Sequence, residues 1–317
     1  MLKKAIIKKI CLGLFCLLIL LILYLFPKVK NASNISFKTE YTVKEFSDVV
    51  YLLDKNNYAS RVPIILRSTS LEEKVQELIY YMTIDSLYSN LIPNGFKAFL
   101  PAGTRMISSD LSNENLKLNF SKEFLNLDKK NELVAIEALV YSLTSLKEIK
   151  SITILVDGEL LIKLPHSKEL LPTPIDRSYG INKQYNINSI KDTTKTTIYY
   201  LSKNNEYYYY IPITKITNDK KEKIEIIIKE LTSSPTYETN LMSYLNSEAT
   251  LKNYNILDRE LSLDFNNAIL SGLKENNILE EVTYAINLSI NDAYDLDTVM
   301  YYVDNEKVAT FDLKGLE

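Results

Sequence analysis

Two stretches of the chain have the apolar spacing of an amphipathic helix, and each comes after a pair of strand-like segments. The apolar positions recur at i, i+3, i+4 and i+7, and they are Val75, Leu78, Ile79 and Met82 in the first stretch and Ile224, Ile227, Ile228 and Leu231 in the second. This spacing places the apolar side chains on one face of a helix. Ser70 with Glu73, and Asp219 with Glu222, have the spacing of capping boxes and predict where the two helices begin.

The similarity between these stretches extends along most of the chain. Three further pairs of segments match at separations of 145 to 148 residues, and they are Tyr51–Asn57 with Tyr199–Asn205, Leu116–Phe120 with Leu261–Phe265, and Val156–Glu159 with Val303–Glu306. All the pairs occur in the same order in both halves. Chance does not explain that order, so the sequence predicts one fold that is repeated twice.

Each repeat contains the same series of predicted elements. In the first repeat these are strands at 49–53 and 62–66, a helix at 71–82, a hairpin at 106–120, a helix at 133–146 and a strand pair at 152–162. Two amphipathic helices need a sheet against which to bury their apolar faces. The predicted fold class is therefore α+β, with two helices packed on a mostly antiparallel sheet in each of two tandem modules.

The N-terminal segment has the pattern of a membrane anchor. Residues 10–26 carry no charge, and Lys3, Lys4, Lys8 and Lys9 precede them. A run of this length predicts a single transmembrane helix, and the positive-inside rule predicts a cytoplasmic N-terminus with the bulk of the chain outside. We interpret the run as an uncleaved signal anchor; cleavage near Asn31–Ser33 is the alternative.

These patterns divide the chain into five parts. The predicted parts are a basic tip and anchor at 1–30, a tether at 31–47, a first module at 48–177, a linker at 178–193 and a second module at 194–317. The region from Pro165 to Asn188 has three prolines and little periodicity. We therefore expect the connection between the modules to cross the surface.

Composition excludes several classes of function. Beyond residue 30 the chain carries 31 basic and 40 acidic residues, which argues against nucleic acid as a partner. The two cysteines lie in the apolar run and His166 is the sole histidine, so a Cys/His zinc site or a histidine-based triad has no place in the modules. We expect no cofactor and no catalytic residue. Asp292, Asp295 and Asp297 lack the central glycine of a calcium loop and predict a solvated connection after a helix.

Several segments together resemble the GerMN domain family of sporulation and germination proteins. The segments are Ile92–Gly95, Leu100–Thr104, Leu116–Phe124, Tyr141–Thr144, Val156–Gly158 and Pro174–Arg177. The resemblance covers both repeats and is weaker in the second. It implies a domain similar to ring-building modules of secretion systems, and a non-enzymatic protein that supports the channel complex joining mother cell and forespore during endospore formation. Implied partners are the cytoplasmic membrane and other envelope or channel proteins, or further copies of the chain.

Surface contacts are the remaining route to function, and two classes stay open. The first is a membrane-anchored assembly protein; the second is an accessory or glycan-binding protein in peptidoglycan remodelling. Tyr207, Tyr208, Tyr209 and Tyr210 form the best candidate interface, because alternation along a strand sends two tyrosines to each face. We expect one alternate pair to be exposed.

Overall fold

The computed structural model describes Leu17 and residues 48–204, 207–233, 240–270 and 277–316. Residues 46–317 form one compact unit, which contains both repeats. The predicted membrane anchor lies outside the described residues except for Leu17. Among the described residues, no helix has the length and apolarity needed to cross a membrane.

The described part of this unit contains fifteen strands and four α-helices. The strands are β1 Asp48–Asp54, β2 Ala59–Ile64, β3 Phe96–Lys97, β4 Met106–Ser112, β5 Asn115–Phe120, β6 Ser151–Val156, β7 Glu159–Leu160, β8 Ile175–Asp176, β9 Gln184–Asn186, β10 Thr194–Lys203, β11 Tyr208–Thr217, β12 Leu251–Leu257, β13 Glu260–Phe265, β14 Thr298–Val303 and β15 Glu306–Asp312. The helices are α1 Leu71–Met82, α2 Glu132–Leu143, α3 Lys223–Thr232 and α4 Glu280–Ala293.

Each module has its own mixed sheet. The order is β4-β5-β6-β7 in the first module, with β8 also paired to β6, and β12-β13-β14-β15 in the second. The pairs β5/β6 and β13/β14 are parallel, and the other ladders of these two sheets are antiparallel. A parallel pair needs a crossover connection, and α2 and α4 provide it. The α+β class and the tandem modules are confirmed.

The two modules share a third sheet. The predicted fold has a single sheet in each module, so this shared sheet is a correction. Its order is β10-β11-β2-β1-β3, and β9 pairs with β11. The first hairpin of each repeat, β1–β2 or β10–β11, is not part of its module's own sheet. The two hairpins lie side by side in the shared sheet instead. The residues from Val49 to Leu53 explain this arrangement, because all five are buried and a strand buried on both faces needs cover on two sides.

The helix predictions hold with two corrections, the first of which is that α2 ends at Leu143 rather than at the predicted Leu146. Helix α1 has the predicted bounds, and the Oγ of Ser70 accepts a hydrogen bond from the N–H of Glu73. In the second repeat the capping-box prediction is wrong: α3 begins at Lys223, after Glu222. The carboxylate of Asp219 instead accepts a hydrogen bond from the N–H of Lys221 and forms an ion pair with Lys229.

The cores of the two modules confirm that the repeats are equivalent. The side chains predicted to share core positions are all buried, and they are Val75, Leu78 and Ile79 in the first module and Ile224, Ile227 and Ile228 in the second. The polar detail matches as well. The Oγ of Ser142 on α2 accepts a hydrogen bond of 2.9 Å from the N–H of Tyr51, and the Oγ of Ser289 on α4 accepts one of 2.9 Å from the N–H of Tyr199.

We expect Gly103→Val to lower the free energy of unfolding by about 1 kcal/mol or more, because the backbone at Gly103 has φ +80°, which side chains resist. A Cβ atom there meets nothing closer than the Cγ of Glu123 at 3.7 Å. The loss of free energy therefore comes from strain in the backbone and not from a steric clash. Ala102→Val, in the same turn, is the control. Urea unfolding measures both variants, and equal stability of the two would contradict the prediction.

Candidate functional site

The junction between the modules is built around a pair of equivalent tyrosines. The hydroxyl groups of Tyr51 and Tyr199 are 3.0 Å apart, and the two residues are 1% and 2% exposed. The hydroxyl of Tyr141 lies 3.3 Å from the Oγ1 of Thr197. Burial raises the pKa of Tyr141 and of Tyr199 well above the ordinary value, so both hydroxyls stay protonated. The junction is therefore held by neutral hydrogen-bonding groups at its centre.

An ion pair crosses the junction beside these tyrosines. The Nη1 of Arg177 donates to the Oδ1 of Asp292 at 3.0 Å, and its Nε donates to the Oγ1 of Thr144 at 2.9 Å. The guanidinium also lies 4.7 Å from the ring centre of Tyr141. Asp292 is thus a buried partner of Arg177 in the last turn of α4, and its predicted role in a solvated connection is wrong. Asp295 and Asp297 bind Arg259 instead.

One side chain, that of Asn182, joins β2 to β11 in the shared sheet, and this connection is called the Asn182 splice below. The register of these strands contains a single backbone pair, Tyr210 with Arg61, which sets Pro212 opposite Ala59. Proline has no N–H to donate to a neighbouring strand. The Nδ2 of Asn182 donates to the carbonyl oxygens of Ala59 and of Pro212, both at 2.8 Å, and its Oδ1 accepts from the N–H of Ala59 at 2.9 Å. The amide group of Asn182 therefore takes the place of a peptide group between the two strands.

Part of the predicted surface linker at 178–193 belongs to the fold, whereas residues 188–193 are exposed. Residues 180–182 are buried and β9 pairs with β11 in parallel. The N–H of Asn182 donates to the Oε2 of Glu137 at 2.7 Å, and the Nζ of Lys183 lies 3.2 Å from the Oε1 of Glu137. Burial raises the pKa of Glu137 to about 7, although Lys183 and the hydrogen bonds oppose this shift.

A cleft of about 760 Å³ opens at the junction. Its first wall comes from β1, from the end of α2 and from β8 with the turn after it; its second wall comes from the end of α4 and from the C-terminal turn 313–316. Charged residues line both walls, and they are Arg61, Lys147, Lys150, Asp176 and Arg177 in the first module and Arg259, Asp292, Asp295, Asp297 and Lys314 in the second. The sequence repeats gave no signal for this cleft, because it forms between copies rather than within one.

The tyrosine run lies partly inside this junction. Tyr209 is buried, and its hydroxyl donates to the Oδ2 of Asp54 at 2.9 Å. The hydroxyl of Tyr207 donates to the carbonyl oxygen of Asn94 at 2.7 Å, so both tyrosines of one face contact the first module.

The other two tyrosines of the run are half-buried. Tyr208 contacts Tyr244, and Tyr210 stacks on Tyr284. The expectation that one alternate pair is exposed is therefore wrong. The alternation along the strand accounts for the two faces, but the sequence did not show that the first module covers one of them.

We expect Asn182→Gly to lower the free energy of unfolding by about 2 to 4 kcal/mol, because it removes three buried hydrogen bonds. Asp192→Gly is the matched control, since Asn182 and Asp192 both have positive φ (48° and 54°) but Asp192 is exposed. Chemical denaturation measures both losses. Losses of equal size would show that the side-chain amide does not splice the strands.

We expect Glu137→Gln to gain stability relative to the unchanged chain as the pH rises. The pKa of Glu137 is raised from 4.5 to about 7 in the fold, so the unchanged chain loses up to about 3 kcal/mol between these pH values and the variant does not.

Glu132→Gln is the control for this experiment. Burial alone would raise the pKa of Glu132, but hydrogen bonds from Ser167 and His166 lower it. The unchanged chain should therefore become more stable relative to Glu132→Gln as the pH rises from the lowered pKa to 4.5, which is the opposite sign in a lower pH range. Unfolding curves from pH values below 4.5 up to about 7 give both differences, and the same sign for the two variants would contradict the prediction.

The comparisons with known proteins agree with the repeats and with the geometry. The Germane family, described as sporulation and spore germination, matches residues 49–162 and 197–309. The spore germination protein GerM of Bacillus subtilis (strain 168) is 28% identical over an alignment of 285 residues, and the match covers 88% of this chain and 77% of that protein.

A solved structure, of the tandem GerMN domains of the sporulation protein GerM from Bacillus subtilis, is also similar. Its TM-score is 0.76 at 28% identity, and the match covers 82% of this chain and 91% of that one. The family predicted from the sequence motifs is thereby confirmed. Both matched segments coincide with the two modules that meet at the shared sheet, and the chain belongs to the Germane family of sporulation and spore germination domains.

Proposed function

We propose that this chain is a non-enzymatic assembly protein of the endospore-forming cell envelope. In this proposal a single N-terminal helix anchors it in the cytoplasmic membrane, and the two modules lie outside the cytoplasm, where they support the channel complex between mother cell and forespore. Membership of the Germane family and similarity to a spore germination protein support the sporulation setting. The uncharged run at 10–26, with lysines before it, supports the anchor.

One observation carries the assembly role: the shared sheet joins the two modules into one compact body. The Tyr51–Tyr199 contact, the Arg177–Asp292 ion pair and the Asn182 splice all lie between the modules. Two similar modules are thereby presented to partners in one fixed relation. A fixed arrangement lowers the entropy that binding would otherwise cost, which suits a scaffold.

Equivalent strand edges supply surfaces for such contacts. Strands β4 and β12 lie at the outer edges of the two module sheets, where backbone groups are open to pairing with another chain. Leu111 on β4 and Ile256 on β12 occupy equivalent positions and are 37% and 43% exposed. Exposed apolar side chains on an open edge favour association with a partner or with another copy.

A second candidate function, glycan binding in peptidoglycan remodelling, rests on a different surface. A shallow groove of about 190 Å³ lies on the sheet of the second module, and its lining includes Asn253, Asn255, Ser262, Asp264 and Tyr302. Amide and hydroxyl groups can both donate and accept hydrogen bonds, as sugar hydroxyls require, and a tyrosine ring adds an apolar face. The assembly role is preferred because the groove belongs to one module only.

We expect a fluorescent fusion of the full chain to collect at the membrane around the forespore, and deletion of the chain to lower spore yield. Leu111→Lys together with Ile256→Lys should lower spore yield without loss of the protein, because a charge on each edge opposes pairing. Asn126→Lys with Asn188→Lys, two exposed positions that lie on neither edge strand, is the control.

Time-lapse imaging and spore counts measure these outcomes. A uniform fusion signal with normal spore yield after deletion would contradict the assembly role. Co-sedimentation of the purified full chain with peptidoglycan sacculi, abolished by Tyr302→Ala, would favour the glycan-binding function instead.

A further inference from the structure

The cleft at the junction is independent of the strand edges that the proposed contacts use. At about 760 Å³ it is within the size range of ligand-binding clefts, and it exists only because two modules meet. Its base includes buried apolar side chains such as Ile149, Leu296 and Leu313. The charges on its walls decide what such a cleft can hold.

The acidic residues of the second wall are all occupied by cations within the cleft. Asp292 binds Arg177 at 3.0 Å. Arg259 holds Asp295 through two bonds of 2.6 and 2.8 Å and Asp297 through one of 3.0 Å. These carboxylates are therefore already neutralised.

The first wall has cations in excess. It contains four basic residues and a single acid, Asp176, whose Oδ1 accepts a hydrogen bond from the N–H of Ser178. Among the described residues, neither Arg61 nor Lys150 forms an ion pair with a carboxylate. The pKa of Asp295 is lowered by Arg259 and, to a smaller degree, by Lys150, so Lys150 faces the second wall without a direct contact. Arg61 uses one Nη2–H to bind the carbonyl oxygen of Leu316 at 2.7 Å, which leaves further donors on its guanidinium.

The partial negative charge at the helix C-termini near the cleft does not explain the presence of Arg61 and Lys150. Helices α2 and α4 both end there, and helix C-termini carry partial negative charge. Arg177 already meets the end of α2, because its Nη2 donates to the carbonyl oxygen of Tyr141. Lys150 is exposed and lies beyond the end of that helix.

We propose that the cleft binds an acidic peptide segment of a partner protein, with carboxylates that pair with Lys150 and Arg61. This inference rests on the proposed function, since an assembly protein requires partners. At about 760 Å³ the cleft is larger than a single small anion needs. The rest of the body beyond residue 30 has an excess of acidic over basic residues, so this cationic wall stands out as the place where an acidic segment is attracted.

Fluorescence anisotropy of the purified full chain tests the inference. The probe is a fluorescein-labelled peptide of alternating aspartate and alanine, and the reference is the same peptide with asparagine in place of aspartate. We expect the acidic peptide to bind more tightly, with an affinity that falls as salt is added. Lys150→Glu should weaken binding by about tenfold, because it replaces attraction with repulsion at the cleft.

Lys117→Glu is the matched control, since Lys117 is exposed on β5 and does not line the cleft. Equal weakening by both variants, or equal binding of the two peptides, would overturn the inference. Inorganic polyphosphate that binds more tightly than the peptide, with the same dependence on Lys150, would overturn it in favour of a phosphate polymer. A failure of peptide binding in vitro would overturn this inference alone. The proposed function is tested separately, by the spore yield after deletion of the chain.

Discussion

The structure depends on how a hydrogen-bond gap between β2 and β11 is closed. Pro212 stands opposite Ala59 and has no N–H, so the two hairpins cannot form a full ladder. The amide of Asn182 supplies both missing donors and one acceptor. Glu137 in turn holds the backbone of Asn182. Without this bridge, buried polar groups of both modules would lack partners, and such groups are expensive to bury.

The splice explains why the modules behave as one body although each has its own helices and sheet. The hairpins β1–β2 and β10–β11 are sandwiched rather than solvated on one face, which suits their runs of buried side chains. The Tyr51–Tyr199 hydroxyl contact joins equivalent positions of the two repeats, as a pseudo-symmetric interface requires. The ion pair and the cleft lie beside this contact, so the surface chemistry of the junction is a product of the tandem arrangement.

The sequence predicts those features that depend on periodicity within a repeat. The bounds of α1 and the matching cores follow from the i, i+3, i+4, i+7 pattern, because apolar spacing and caps are local. It does not predict where the hairpins pair, since a run such as Val49–Leu53 demands burial on both sides but does not specify a partner. Asn182 lacks a local signal for the same reason, because it resembles an ordinary turn residue in a segment without periodicity.

The shared sheet also sets an order of events during synthesis. Strand β2 is complete by Ile64, but its neighbour β11 ends at Thr217, so more than a hundred residues separate the two. While the ribosome makes that intervening chain, the outer edge of β2 has no strand to cover it, and such edges invite pairing with the wrong chain. The helices of the first module can form and pack early. Its hairpin β1–β2 becomes fully enclosed only after the hairpin β10–β11 of the second module has been synthesised. Long-range closure of this kind slows folding and ties the maturation of the whole body to its C-terminal half.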